Sequence, residues 1–195
     1  PSEEGTDLHI VRAGRFGVDS HFGLRALRSS VSEEKEDFRI SLTHSQMQTL
    51  VGSIGKLTGH AIYIPMNDRA ALDWELVERF ELAKDIPSTG RYGPTPSLYF
   101  IDVLWFHSNT NILAAAFEIE HSTPIYSGLL RFNDVHIDFK IPRAGIIARS
   151  QRKDRFLSQI NRRTFRASGL SEICLFYSYE DVYRWHLSLE SQTRC

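Results

Sequence analysis

The sequence lacks the features that mark secreted or membrane-spanning proteins. Only two cysteines, Cys174 and Cys195, occur in 195 residues, too few for a disulfide framework or a four-cysteine zinc site. No run approaches the roughly 18 consecutive apolar residues of a membrane helix. The first segment, PSEEGTDLHI, has no apolar core of the kind found in secretory signals. We therefore expect a reduced, cytoplasmic protein with no membrane contact.

Several common catalytic signatures are also missing. The sequence contains no G-x-x-x-x-G-K-[ST], G-x-G-x-x-G, G-x-S-x-G, H-E-x-x-H or H-x-H pattern. These absences argue against a glycine-rich nucleotide cradle, a serine hydrolase elbow and a zinc hydrolase. What is present is ordinary for a globular domain, with 42% hydrophobic and 24% charged residues.

The net charge of −1 conceals one strongly basic segment. Residues 140–166 hold nine Lys or Arg and a single acid, Asp154, so the segment carries +8 and the rest of the chain −9. Such a segment suits a polyanion such as DNA, and a solvated arginine-rich helix face fits the charge equally well. The candidate phosphate-binding residues in this segment are Lys140, Arg149, Arg152, Lys153, Arg155, Arg162 and Arg163.

The spacing of apolar residues predicts alternating helices and strands from residue 43 onward. Helices are expected over 43–56, 71–83, 125–135, 151–162 and 179–190, and strands over 60–65, 97–106, 112–120, 145–149 and 172–178. This order predicts an α/β domain with a central mixed β-sheet flanked by helices on both faces. Residues 1–42 are expected to be an N-terminal extension of uncertain structure, followed by one domain over 43–195.

Three carboxylates lie in the two most hydrophobic predicted strands. Asp102 lies in the first, and Glu118 and Glu120 end the second. Because strand side chains alternate, Glu118 and Glu120 face one side of the sheet. In an antiparallel hairpin Asp102 can face the same side, so we expect the three acids to converge.

Buried carboxylates need a cation, because an isolated buried charge is costly. Oxygen ligands without His or Cys favour Mg²⁺, or Mn²⁺ as its substitute. Without the cation, repulsion should raise the pKa of at least one of the three acids. The alternative is that these acids form salt bridges with Arg or Lys at a sheet edge.

The pattern of Asp102 followed by Glu118-Ile119-Glu120 resembles the D-x(n)-(D/E)-x-K signature of the PD-(D/E)xK restriction-endonuclease-like nucleases. The string IDVLWF…AAAFEIEHSTPIYSGLLRFND, with NRRTF at 161–165, is similar to that of bacterial restriction-endonuclease-like proteins. The sequence departs from the signature at its last position, where Glu120 replaces Lys; a minority of type II restriction enzymes also have Glu there.

The resemblance implies a restriction-endonuclease-like core and a Mg²⁺-dependent deoxyribonuclease that acts in restriction or in defence against foreign DNA. Asp102 and Glu118 would be metal ligands, and Glu120 would be a further ligand or the base for the attacking water. Arg131 would contact a DNA phosphate or balance Glu118. Cleavage of both strands of a duplex implies a homodimer, and a further domain absent from this chain is compatible with the sequence.

Two other functions stay open on the sequence alone. The same fold could serve as a nucleic-acid-binding or regulatory module with weak or no catalysis, because the Lys is missing. A protein-interaction domain, whose acids form salt bridges, is the third possibility, and it predicts no DNA affinity at low salt.

Overall fold

The computed structural model describes residues 41–87 and 96–192, and its centre is a five-stranded mixed sheet. The strands are β1 (His60–Tyr63), β2 (Val103–His107), β3 (Leu113–Ile119), β4 (Ala144–Ala148) and β5 (Cys174–Ser178). They lie side by side in chain order. The β1–β2 and β2–β3 pairs are antiparallel, whereas β3–β4 and β4–β5 are parallel. The predicted α/β architecture with a mixed sheet is confirmed.

Helices cover both faces of this sheet. They are α1 (His44–Leu57), α2 (Ile125–Phe139), α3 (Lys153–Ile160), α4 (Arg163–Ser168), α5 (Leu170–Ile173) and α6 (Tyr179–Gln192). Helices α1 and α6 share one hydrophobic core with Trp105 and Phe117 of the sheet. Helices α2 to α5 share the other core with Leu104 and Ile146. Within residues 41–87 and 96–192, none of the helices is both long enough and apolar enough to span a membrane.

Helix α1 begins with a capping box formed by Thr43 and Gln46. The Thr43 hydroxyl accepts a hydrogen bond from the Gln46 backbone N–H at 3.2 Å, and the Gln46 side chain accepts one from the Thr43 N–H at 3.0 Å. This reciprocal pair satisfies two of the amides that a helix leaves unbonded at its N-terminus. Gly59, with a φ of +81°, lies just beyond the other end, in a conformation that favours glycine. The capping fixes the position of His44 at the first turn.

The helix predicted over 71–83 is wrong. A 3₁₀ turn covers Arg69–Ala71, and no helix follows it before residue 84. Leu72, Leu76 and Phe80 are buried as their helical spacing implied, but they lie in a non-helical segment. Near its end, Leu82 forms an isolated parallel bridge with Ile62 of β1. The Arg69 guanidinium donates to the carbonyls of Ile64 and Ala83, and these hydrogen bonds hold the start and the end of the 64–83 segment close together.

Two other predicted boundaries are corrected. Residues Pro96–Phe100 form a 3₁₀ helix, so the strand predicted over 97–106 begins only at Val103. The helix predicted over 151–162 is a 3₁₀ turn, Ser150–Arg152, followed by α3. Helices α4 and α5 were not predicted; Gly169, with a φ of +84°, separates them. Residues 1–40 lie outside the described part of the chain, so the predicted boundary at residue 42 stays a prediction.

Candidate active site

The site is built at the end of the β2–β3 hairpin. Val103 pairs with Phe117, so Asp102, one residue earlier, lies beside Glu118. Phe117 and Ile119 enter the core under α1, while Glu118 and Glu120 point to the opposite face, towards α2. The alternation predicted for β3 therefore places the two glutamates together under one helix.

Glu118 is fully buried and held by Arg131 of α2. The Nε and Nη2 atoms of Arg131 donate to the two carboxylate oxygens, each at 2.6 Å. Burial raises the pKa of Glu118 to about 8, although the hydrogen bonds from Arg131 act in the opposite direction. The same hydrogen bonds raise the pKa of Arg131. Arg131 therefore stabilises the ionised form of a carboxylate whose burial favours the neutral form.

Glu120 is 1% exposed and incompletely satisfied. Its Oε2 accepts a hydrogen bond from the Thr123 hydroxyl. Its Oε1 lies 4.0 Å from Nη2 of Arg131 and has no hydrogen-bond partner among the described residues. One guanidinium thus lies between two buried carboxylates and bonds only one of them directly. Among the residues that the structure describes, Oε1 of Glu120 therefore lacks the hydrogen bond that normally offsets the loss of water around a buried carboxylate oxygen.

Asp102 lies beside Glu118 along the hairpin, but its carboxylate has different partners. The expected convergence of all three acids is therefore only partial: among the described residues, the side chains grouped at metal-ligating distances are His44, Asp68 and Asp102. Its Oδ2 accepts a hydrogen bond from the Ile119 backbone N–H at 2.6 Å, and its Oδ1 lies 3.6 Å from Nε2 of His44. Burial raises the pKa of Asp102 to about 6, against the effect of His44. The charge of Asp102 in turn raises the pKa of Glu118.

The expected increase in the pKa of at least one acid agrees with the structure, but its main cause differs. Burial is the largest contribution for both Asp102 and Glu118. Repulsion between the carboxylates adds to the increase for Glu118 and is smaller than the effect of burial. Either cause leaves the site favouring the uptake of a cation or a proton.

Helix α2 approaches the glutamates closely because it has a glycine at the point of contact. A Cβ atom on Gly128 would lie 2.5 Å from Oε1 of Glu120 and 3.4 Å from Cβ of Glu118. Glycine normally costs about 1 kcal/mol relative to alanine inside a helix. Here it makes room for the carboxylate of Glu120.

We therefore expect Gly128→Ala to destabilise the protein by about 1–3 kcal/mol, because the overpacking outweighs the gain in helix propensity. Urea unfolding of parent and variant measures the change. Gly128→Ala in a Glu120→Ala background should recover much of the loss, and Ser127→Ala in the same helical turn is the matched control. A Gly128→Ala variant as stable as the parent would contradict the close approach of Glu120.

The predicted DNA-binding residues divide into two groups. Arg131 and Arg152 are hydrogen-bonded to other residues of the chain. Arg131 bonds Glu118, and Arg152 donates to the backbone carbonyls of Glu120 and Thr123. The others are exposed and lie between the end of α2 and the start of α4; they are Lys140, Arg149, Lys153, Arg155, Arg162 and Arg163. The guanidinium of Arg162 lies over the ring of Tyr126 at 4.7 Å.

The sequence did not reveal four residues that contact these acids. His44, Gln48 and Asp68 are far from the hairpin along the chain, and no local spacing links them to it. Gly128 could have been found, because a glycine within a predicted helix usually has a packing reason. His44, Gln48 and Asp68 lie around Asp102.

The fold and the hairpin site define the class of protein. A mixed five-stranded sheet with helices on both faces and acids at the end of its central hairpin is consistent with a restriction-endonuclease-like domain. The chain belongs to the family described as the C-terminal domain of the type II restriction enzyme NmeDI, whose sequence model matches residues 26–192.

A curated relative agrees with this assignment. It is the type II restriction enzyme NmeDI of Neisseria meningitidis serogroup C, with 29% identity over 149 residues. The alignment covers 70% of this chain and 41% of the relative, so the chain spans about two fifths of that protein's length. No solved structure matches the chain.

Proposed function

We propose that the chain is the catalytic domain of a Mg²⁺-dependent DNA endonuclease of the PD-(D/E)xK superfamily. Mn²⁺ would substitute for Mg²⁺. Its biological role would be restriction or another defence against foreign DNA, in the cytoplasm. The family assignment and the relative, a type II restriction enzyme, support this role. A homodimer would allow both strands to be cut, and the relative's greater length leaves room for a further domain.

The observation that carries the proposal is the incomplete neutralisation of two buried glutamates. Glu118 and Glu120 are 0% and 1% exposed, and a single guanidinium lies between them. Oε1 of Glu120 has no partner in the described part of the chain. These oxygen donors fit a hard divalent cation. Such a cation, when bound, lowers the pKa of a water molecule and neutralises charge on a phosphate.

Each acid has a proposed role that follows from its surroundings. Glu118 would hold the cation from β3, and Asp102 would hold it from the position just before β2. Glu120 would either join them or accept the proton of the attacking water through its unbonded Oε1. Arg131 would keep Glu118 oriented. Arg152 would fix the segment after β3 by its bonds to the carbonyls of residues 120 and 123.

The exposed basic residues would bind the DNA backbone. If they do, Lys153→Ala combined with Arg155→Ala should weaken binding to all DNA sequences alike. The slope of log affinity against log salt should become shallower by about 0.9 for each lost phosphate contact. Fluorescence anisotropy at several salt concentrations measures this, with Glu172→Gln as a surface control. An unchanged slope would show that these two residues form only a solvated face.

A second function is supported by one specific observation. Both oxygens of Glu118 are engaged by Arg131, and Glu120 stands where the superfamily has Lys. A domain that binds DNA without cutting it would tolerate this arrangement.

A cleavage assay on plasmid DNA, modified and unmodified, with Mg²⁺, Mn²⁺ and EDTA arms separates the two functions. The nuclease proposal predicts nicked or linear products with either ion and none with EDTA. Retarded but intact DNA in all three arms would favour the binding module.

A further inference from the structure

We propose that His44, Asp68 and Asp102 form a second divalent-cation site, one that prefers Mn²⁺ and similar transition metals over Mg²⁺. The site lies at the first turn of α1 and shares Asp102 with the proposed nuclease centre. The inference extends the proposed function through that shared residue, but its test does not depend on cleavage.

The three side chains already lie at near-ligating distances. One potential ligand atom from each lies within 4.8 Å of the other two. Around an octahedral ion with bonds of about 2.1 Å, adjacent ligands are roughly 3 Å apart and opposite ligands roughly 4.2 Å apart. Small side-chain movements therefore suffice to close the site. The His44 side chain is 38% exposed, so an ion can enter from solvent.

His44 presents the correct nitrogen. Its Nδ1 lies 3.1 Å from the carbonyl oxygen of Ile119. Because a carbonyl can only accept, Nδ1 carries the hydrogen, and in the neutral ring Nε2 then has the lone pair. Nε2 is the atom that lies 3.6 Å from Oδ1 of Asp102. Metal-binding histidines typically donate their other N–H to a carbonyl or a carboxylate in this manner.

Gln48 supplies an independent observation at the same place. It is fully buried, and its Nε2 donates to Oδ2 of Asp68 at 3.0 Å and to the backbone carbonyl of Asp102 at 2.9 Å. Its Oε1 has no hydrogen-bond partner among residues 41–87 and 96–192. Rotation of the amide by 180° exchanges the two atoms. The amide oxygen would then replace the NH2 group beside Oδ2 of Asp68 and the carbonyl oxygen of Asp102. This orientation gives up both hydrogen bonds, so it is favourable only when a cation lies among the three oxygens, with Gln48 as a further ligand.

The donor set determines the class of ion. Mg²⁺ prefers oxygen ligands, whereas transition metals also accept an imidazole nitrogen. One imidazole with two carboxylates therefore suits Zn²⁺ and Co²⁺, and also Mn²⁺, which shares the preference of Mg²⁺ for carboxylates, better than it suits Mg²⁺. The proposed nuclease acids offer only carboxylate oxygens, so the two neighbouring sites differ in preference. An ion at the second site would neutralise Asp102 from the α1 side of the hairpin, while Glu118 and Glu120 face α2.

Electron paramagnetic resonance of Mn²⁺ added to the full chain tests the inference. We expect Mn²⁺ to bind the parent with ¹⁴N coupling from a directly bound imidazole. His44→Gln should lose that coupling, and Asp68→Asn should weaken binding of this nitrogen-coupled ion at least tenfold. His107→Gln and Asp134→Asn, both at exposed positions, are the matched controls. Glu118→Gln should leave the ¹⁴N coupling intact.

The outcomes separate this inference from the proposed nuclease function. A parent without ¹⁴N coupling, or an Asp68→Asn variant that binds this ion as tightly as Asp134→Asn does, would overturn the second site even if the protein cuts DNA. Coupling that disappears in His44→Gln would support the site even if the protein cuts no DNA.

Discussion

Arg131→Ala is expected to destabilise the protein by roughly 3 kcal/mol at pH 9.5, where Glu118 of the parent is ionised, as is typical when one partner of a buried ion pair is removed. Glu118 has no solvent exposure and bonds Arg131 through both of its oxygens. The variant leaves this carboxylate buried without its counter-charge. Arg131 itself is about one third exposed on its side chain, which places the expected loss at the low end of the usual range.

The loss of stability in Arg131→Ala should increase as the pH rises. Burial already raises the pKa of Glu118 to about 8 from an ordinary value of 4.5. Removal of Arg131 should raise it further. Between pH 4.5 and 8 both folded proteins keep a proton on Glu118 that the unfolded chain releases, so both lose stability in parallel as the pH rises. Above pH 8 the parent loses no more, whereas the variant continues to lose stability up to its higher pKa, so the difference between them grows.

Urea unfolding of parent and Arg131→Ala at pH 6 and at pH 9.5 measures both effects. The deficit of the variant should be clearly larger at pH 9.5 than at pH 6, because the two pH values lie on either side of the pKa of Glu118 in the parent. The double variant Arg131→Ala with Glu118→Gln should lose the extra pH dependence, because no titrating group remains at position 118. An equal deficit at both pH values would mean that Glu118 is not the group that Arg131 stabilises.

The second large effect concerns Asp102 and the bound cation. Mg²⁺ at a hundredfold excess over its Kd should stabilise the parent by about 2.7 kcal/mol. Asp102→Asn should abolish most of this stabilisation, because it removes a proposed ligand. In EDTA at pH 7.5, the variant should be more stable than the parent, on the order of 2 kcal/mol.

We expect Asp102→Asn to be more stable than the parent in EDTA because burial raises the pKa of Asp102 from 3.8 to about 6. Stability is lost as the pH rises from 3.8 to 6, and the neutral Asn does not incur that loss. The Asn side-chain oxygen can still accept the hydrogen bond from Ile119 N–H. Thermal melts of parent, Asp102→Asn and the control Asp134→Asn, each in EDTA and in Mg²⁺, measure both effects. A variant that is less stable in EDTA, beside a parent indifferent to Mg²⁺, would indicate a structural salt bridge.

The sequence predicted the hairpin well because its signals are local. The alternation in β3 placed Glu118 and Glu120 on one face, and the β2–β3 register brought Asp102 beside Glu118. The carboxylate of Asp102 is nevertheless turned to His44 and to the Ile119 N–H, away from the pair of glutamates. The actual partners of these acids could not be predicted, because Arg131 and His44 reach them from separate helices through tertiary packing.

The wrong helix at 71–83 shows the limit of periodicity. Its apolar residues recur at helical spacing and are indeed buried. However, the Ala83 N–H donates to the carbonyl of Ile62, and Thr49 accepts from the Asp73 N–H. These backbone bonds to β1 and α1 replace those that a helix would have made internally. Tertiary hydrogen bonds of this kind leave no periodic signal in the sequence.

The account is tested most directly by single-turnover cleavage of plasmid DNA with isosteric variants of the hairpin acids. We expect the parent to cut DNA in Mg²⁺ and to be inactive in EDTA. Glu118→Gln and Asp102→Asn should each lower the rate by about a hundredfold or more, while Asp134→Asn on the exposed face of α2 should cut like the parent. Cleavage that persists undiminished in Glu118→Gln and Asp102→Asn, or that continues in EDTA, would contradict a metal-dependent nuclease centre at this hairpin.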